Sequence, residues 1–273
     1  MFQEVPKNVK IDFDSRKINN SDLVLCYKGR TVLCRFENSK TIFPTVADFT
    51  KQPETVFLFS ADGQRYFLSL DDEPKAEDFK YEHINLLKTA CQDDNVYAGI
   101  TGFHYDAFHK ENKFCSICGG KLKHDPEKRC MVCENCQNEV FPKISPAVIV
   151  GIIDEKTDSI VLTKYAQGEY KKYALVAGFT EIGETIEDTA RREVMEETGL
   201  EITDIKYYKS QPWGYAQNLL FGFFAKVKNS REIHMDENEL SEAIWVKRED
   251  VTAKPDSLSL THEMMWKFKN GEV

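Results

Sequence analysis

Apolar residues in the first third of the chain come in short runs of four to six positions: Leu23–Tyr27, Thr31–Phe36, Thr55–Phe59 and Arg65–Leu68. They are rich in β-branched and aromatic side chains and are separated by polar turns such as Ala61-Asp62-Gly63-Gln64, the pattern of strands. The acidic stretch Asp71–Pro74 closes this region. Next comes a segment read as a helix, about Glu82 to Cys91, and then an aromatic stretch, Phe103–Phe108. The second half opens on Ala147–Ile153, an unbroken apolar run suited to a strand buried on both faces. A strand over Ser159–Lys164, a charged helix over Thr185–Thr198, and strands near Ile205–Lys209, Leu219–Val227 and Ala243–Val246 follow. The expected organisation is an N-terminal α+β domain over residues 1–110, a cysteine-rich segment over 111–142 and a catalytic domain over 143–273. The first domain carries no catalytic constellation; its expected role is packing, dimerisation or substrate enclosure.

Composition narrows the function. Thirty-six Lys and Arg against 45 Asp and Glu leave a net charge of −9, which argues against gripping duplex nucleic acid as the main task. A local basic patch stays compatible with that charge. The longest aliphatic run, Ala147–Ile153, is far too short to span a bilayer. The opening MFQEVPKNVKIDFD lacks the layout of a secretory signal, so the expected compartment is the cytoplasm.

Eight cysteines are present, and five crowd between Cys115 and Cys136. Cys26, Cys34 and Cys91 stand singly and read as unpaired thiols. Cys115-x2-Cys118 and Cys133-x2-Cys136 are two knuckles whose four thiolates suit tetrahedral Zn²⁺, with Gly119 and Gly120 at the sharp turn after the first pair. Cys130 has the same spacing to Cys133; the preferred set uses Cys136 and leaves Cys130 spare. Four thiolates close the metal's shell, so one structural zinc per chain is expected. Lys121, Lys123, His124, Lys128 and Arg129 surround the site as a mainly solvating loop.

The chemistry is concentrated in Gly178-x5-Glu184-x7-Arg192-Glu193-Val194-x-Glu196-Glu197-x-Gly199-Leu200. No Gly or Pro interrupts Thr185–Thr198, and Gly199 stands where a helix stops. Glu193 and Glu197 fall at i and i+4 on one face, with Glu196 slightly round the cylinder. Three carboxylates so close repel one another unless cations lie between them, and all-oxygen ligation suits Mg²⁺ or Mn²⁺. Ile186, Ala190 and Val194 form the apolar stripe that would seat the helix, and Arg192 can pair back to Glu184.

This stretch resembles the Nudix box at each specified position. Together with the four-cysteine segment and Ser210-Gln211-Pro212-Trp213, the chain resembles the zinc-ribbon-containing NADH pyrophosphatase family of Nudix hydrolases. The resemblance implies an α/β/α sandwich catalytic domain beside the ribbon and the N-terminal α+β domain. It implies hydrolysis of the pyrophosphate bond of NADH or NAD⁺ to nicotinamide mononucleotide and AMP, and removal of NAD caps from RNA. It further implies Mg²⁺ or Mn²⁺ held by Glu193, Glu197, Glu239 and the Ala177 carbonyl, with Glu196 as base, and a homodimer. Asp236 and Glu242 are substitutes for Glu239. Substrate contacts are expected along Gln211-Pro212-Trp213-Gly214-Tyr215-Ala216-Gln217-Asn218 and on the rings of Phe179 and Phe141.

The family signature continues as S-Q-P-W-P-F-P, and here Gly214 and Ala216 replace the later prolines while Tyr215 replaces Phe. Read as a loop, the stretch is loosened by Gly214, which predicts a raised KM for NADH that restored prolines would lower. Competing readings are a Nudix hydrolase of ADP-ribose, diadenosine polyphosphates or damaged nucleotides, and a catalytically silent ligand- or RNA-binding protein. The intact glutamate trio disfavours the last.

Overall fold

A computed structural model describes residues 5–11, 17–91, 93–167, 172–253 and 259–273. The chain divides into two units, Phe2–Lys143 with Gly214–Gln217, and Ile144–Trp213 with Asn218–Val273.

In the first unit, short strands follow the apolar runs: β1 (Leu23–Leu25), β2 (Tyr27–Lys28), β3 (Thr31–Glu37), β4 (Lys40–Ile42), β5 (Thr55–Ala61), β6 (Gln64–Ser69) and β7 (Lys80–His83). They make one three-stranded sheet, β1-β6-β5, and a second in which β3 pairs with β2, β4 and β7. The expected helix over 82–91 is absent. Its start is strand β7, hydrogen-bonded to β3, and its middle is a single 3₁₀ turn over Ile84–Lys88. Sheet pairing and the burial of Ile84 and Leu87 override the local helical pattern.

The unit's helix, α1 (Asp94–Glu111), lies further on and takes in the aromatic stretch. Asp93 caps it, its carboxylate accepting from the amides of Asn95 and Val96 at 3.1 Å each. Gly99 and Gly102 lower its intrinsic propensity, and both sit where neighbouring side chains pack close. A Cβ on Gly99 would lie 2.7 Å from Leu87, and one on Gly102 2.5 Å from Leu25. The cysteine segment then forms a small antiparallel meander, β8 (Leu122–His124), β9 (Met131–Cys133) and β10 (Glu139–Val140).

In the second unit the elements are β11 (Ser145–Asp154), β12 (Ser159–Tyr165), β13 (Val176–Phe179), α2 (Ile186–Thr198), β14 (Ile202–Trp213), β15 (Asn218–Val227), β16 (Leu240–Lys247) and α3 (Leu260–Lys269). The mixed sheet runs β14-β15-β11-β12-β16, with β13 also on β11 and the β11–β15 pair parallel. Alternation along β11 builds two cores. Val148, Val150 and Ile152 pack with Ala190 and Val194 of α2, whereas Ile149 packs on the other face with Leu260, Met264 and Phe268 of α3. The unit is therefore an α/β/α sandwich. Helix α3 carries apolar positions 260, 264, 265 and 268 behind the cap Ser259, a spacing that the sequence itself displays. Among the described residues no helix is long and apolar enough to cross a membrane.

Candidate active site

Helix α2 is held at both ends and along one stripe. The Thr185 hydroxyl accepts from the Asp188 amide at 3.1 Å, and Gly199 closes the helix at φ 69°. Ala190 and Val194, both fully buried, fix its rotation against β11. That rotation presses Glu193 and Glu197 inward, to 9% and 2% exposure, and leaves Glu196 at the surface.

Arg192 organises the opposite flank. Its Nε and Nη2 grip Glu184 at 2.6 and 2.9 Å, Nη1 reaches Glu193 at 2.8 Å and Glu196 at 2.9 Å, and Nη2 also donates to the Phe179 carbonyl at 2.8 Å. The paired guanidinium pulls the Glu184 carboxyl down to about 2. Sequence reasoning anticipated the Arg192–Glu184 pair; the links to Glu193, Glu196 and Phe179 come from the fold.

Glu197 is the anomaly. Its Oε1 takes a long hydrogen bond from the Ala177 amide, 3.4 Å, while Oε2 is buried with no partner among the described residues. Burial first, and then the neighbouring charges of Glu193, Glu239 and Asp236, push its pKa up to about 8. Glu193 is also raised, chiefly by burial, with Arg192 opposing. An orphaned, desolvated carboxylate oxygen beside further carboxylates is a donor set that fits a hard divalent cation. Gly178 belongs to the same design, since a Cβ there would sit 2.0 Å from the Glu193 carboxyl carbon. Among the alternatives, Glu239 and Asp236 act electrostatically on Glu197. Glu242 is otherwise engaged, bonded to Lys164 at 2.5 Å and to the Tyr173 hydroxyl at 2.9 Å.

A carboxyl raised by burial stabilises the fold below its unfolded pKa and loses that contribution as pH rises through the folded value. Protein without added divalent cation should therefore lose stability, on the order of a few kcal/mol, between about pH 4.5 and 8. Thermal unfolding across that range should show the slope, and saturating Mg²⁺ should flatten it. A Mg²⁺ titration in weak buffer at pH 7 should release protons.

The substrate stretch differs from a loop. Gln211, Pro212 and Trp213 lie on β14, paired with β15 through Trp213↔Asn218. Gln211 is fully buried and its Oε1 accepts from the Leu260 amide at 2.8 Å, tying β14 to α3. Gly214–Ala216 form a 3₁₀ turn in the first unit, where the Tyr215 hydroxyl donates to the Ile84 carbonyl at 3.2 Å and Gln217 Nε2 to Glu111 at 3.1 Å. Gly214 does not loosen the chain. It is buried, and a Cβ there would lie 2.5 Å from the Ile100 carbonyl oxygen, so the expected gain from proline at this position is withdrawn. Gly214→Ala should instead destabilise the protein by about 1–3 kcal/mol through overpacking, read as a lowered urea midpoint. Phe179 and Phe141 each expose a ring, at 54%.

The four thiols of Cys115, Cys118, Cys133 and Cys136 lie within 4.8 Å of one another. Sulfur pairs stand 3.4–3.7 Å apart, close to the ~3.8 Å edge of a tetrahedron around zinc at its usual Zn–S length. Backbone amides of Cys136 and Asn135 pull the Cys133 thiol down to about 6, and those of Cys118 and Ile117 lower Cys115. Each knuckle thus lowers one thiol, while the neighbouring thiols and burial push Cys136 up to about 12, and four convergent sulfurs fit Zn²⁺. Cys130, fully buried, stays outside the set, with burial raising its pKa.

Family models match this architecture: the NUDIX domain over residues 143–265 and the NADH pyrophosphatase zinc ribbon domain over 110–141. The chain belongs to the zinc-ribbon-containing NADH pyrophosphatase family of Nudix hydrolases. The ribbon is accordingly a structural zinc site, and the Nudix domain implies a divalent metal. A relative in Photobacterium profundum, called NAD-capped RNA hydrolase NudC, is 41% identical over 140 residues, covering 51% of this chain and 52% of that protein. The protein of the same name in Salmonella typhi is 36% identical over 154 residues, 56% of this chain and 59% of its own. The chain thus spans little more than half the length of these relatives. A Nudix hydrolase structure from Nitrosomonas europaea aligns at 24% identity and TM-score 0.49, covering 59% of this chain and 92% of that one.

Proposed function

We propose that the protein hydrolyses the pyrophosphate bond of NADH and NAD⁺, giving nicotinamide mononucleotide and AMP, and removes NAD caps from RNA. The observation that carries the reading is the buried Glu197 oxygen, without a partner among the described residues, on the same helix face as Glu193, inside a complete Nudix box in a chain that also bears the family's ribbon. Both relatives' names, which specify NAD-capped RNA hydrolysis, support the substrate.

In this reading Glu193, Glu197, Glu239 and the Ala177 carbonyl hold Mg²⁺ or Mn²⁺. The cations, when bound, neutralise the diphosphate and acidify the attacking water. Glu196, exposed and oriented by Arg192, accepts the water proton as the P–O bond of the bridging oxygen breaks. Arg192 also keeps the Gly-rich loop in place through Glu184 and the Phe179 carbonyl. Phe179 and Phe141 offer faces for the nicotinamide or adenine. The protein works as a homodimer in the cytoplasm.

The test is a hydrolysis panel with purified protein and either Mg²⁺ or Mn²⁺. NADH and NAD-capped RNA should be cleaved with higher kcat/KM than ADP-ribose or diadenosine tetraphosphate. A strong preference for ADP-ribose would defeat the substrate assignment and leave the Nudix chemistry standing.

A further inference from the structure

Two cation–aromatic pairs lie side by side in the first unit. The Arg30 guanidinium carbon is 5.9 Å from the centroid of the Phe103 ring, and Lys88 Nζ is 4.6 Å from that of Tyr215. Both pairs hang on the buried residue Ile84. Its amide donates to the Arg30 carbonyl at 2.9 Å, and its carbonyl accepts from the Tyr215 hydroxyl at 3.2 Å. Phe103 is held in turn by Tyr27, ring centroids 5.7 Å apart, whose hydroxyl donates to the Gly99 carbonyl at 2.7 Å. The four side chains therefore come from the β2–β3 turn, the 3₁₀ turn at 84–88, α1 and the 214–216 turn, with the Arg30 main chain and the Tyr215 hydroxyl both tied to Ile84.

Charge makes the cluster unusual. Arg30 is exposed and makes no ion pair among the described residues. Lys88 is half-buried, and both burial and the like charge of Arg30 hold its pKa down. The like charge of Arg30 acts on Lys88 in a chain whose net charge is −9. Packing alone would be served by neutral side chains; a bound anion would relieve the repulsion. Cations set among aromatic rings are how single-stranded nucleic acid is held, the charges on phosphates and the rings against bases.

We propose that Arg30 and Lys88, with Phe103 and Tyr215, bind a phosphodiester and its neighbouring base in the single-stranded RNA that continues from an NAD cap. The inference rests on the capped-RNA reading above and adds a subsite for the RNA body. A free phosphate ester offers the same anion without the chain, so the test must separate the two sources.

The probe is a single-stranded decaribonucleotide with a 5′-monophosphate and a 3′ fluorophore, followed by anisotropy over a range of salt. NADH hydrolysis and inorganic phosphate competition are measured in parallel. In R30A/K88A the oligonucleotide affinity should fall about tenfold or more, and the slope of log affinity against log salt should become shallower by about 1.4. The kcat/KM for NADH should stay within twofold of wild type, and R30K/K88R should retain most of the affinity. Arg30→Ala alone, at an exposed position, should lose threefold or more, which covers the case of a poorly folded double variant. Absence of oligonucleotide binding by the wild type, equal binding by R30A/K88A, full competition by millimolar phosphate, or a parallel fall in NADH hydrolysis would each overturn the proposal. A wild type inert toward NADH and capped RNA would defeat the functional reading instead, and the oligonucleotide titration would still decide this one.

Discussion

Glu197→Gln should lower kcat at least about a hundredfold, roughly 2.7 kcal/mol of barrier, at saturating Mg²⁺. The substitution keeps the shape of the side chain and the acceptor for the Ala177 amide, and removes the negative charge. Because Glu197 is buried at 2% exposure with one oxygen lacking a donor among the described residues, its ionised form is costly without a cation. The variant should therefore be at least as stable as wild type near pH 8 when no divalent ion is added, while Mg²⁺ should no longer stabilise it. Loss of turnover together with unchanged or raised thermal stability separates a metal-binding role from a packing role. Glu242→Gln is the control, since Glu242 is occupied by Lys164 and Tyr173. Near-wild-type turnover in Glu197→Gln, or equal losses in both variants, would sink the assignment.

Stripping zinc should have the largest effect on stability. The ribbon's core is small, built from Phe108, Cys115, Leu122, Met131 and Cys133, and two of those five residues belong to the thiol set. Such a segment cannot hold its shape on apolar burial alone, so metal binding and folding are one event, worth on the order of 10 kcal/mol in isolated zinc modules. One zinc per chain is expected by elemental analysis. Cys136→Ser should abolish zinc retention, and with it protease resistance of residues 113–140. Cys130→Ser should keep the metal, because that thiol is buried outside the set. A Cys130 variant that loses zinc while Cys136→Ser retains it would reverse the choice of knuckle.

Much of this protein was legible in its sequence because the relevant interactions are local. A helix that starts at Thr185, stops at Gly199 and carries Glu193 and Glu197 one turn apart is set by spacing and caps. Knuckles of Cys-x2-Cys need only a few residues to present two thiols, and the apolar run of β11 announces a strand buried on both faces. Long-range packing decided the rest. Gly99 and Gly102 are poor helix formers, yet they lie inside α1, where Leu87 and Leu25 fill the space that side chains would need. Gly214 reads as a source of looseness, and the Ile100 carbonyl makes it a point of close contact. The same holds within the site. Spacing places three glutamates on α2, but only the seating of Ala190 and Val194 against β11 determines which of them are dehydrated. Desolvation depends on what the rest of the chain lays over a group, and no local pattern encodes that.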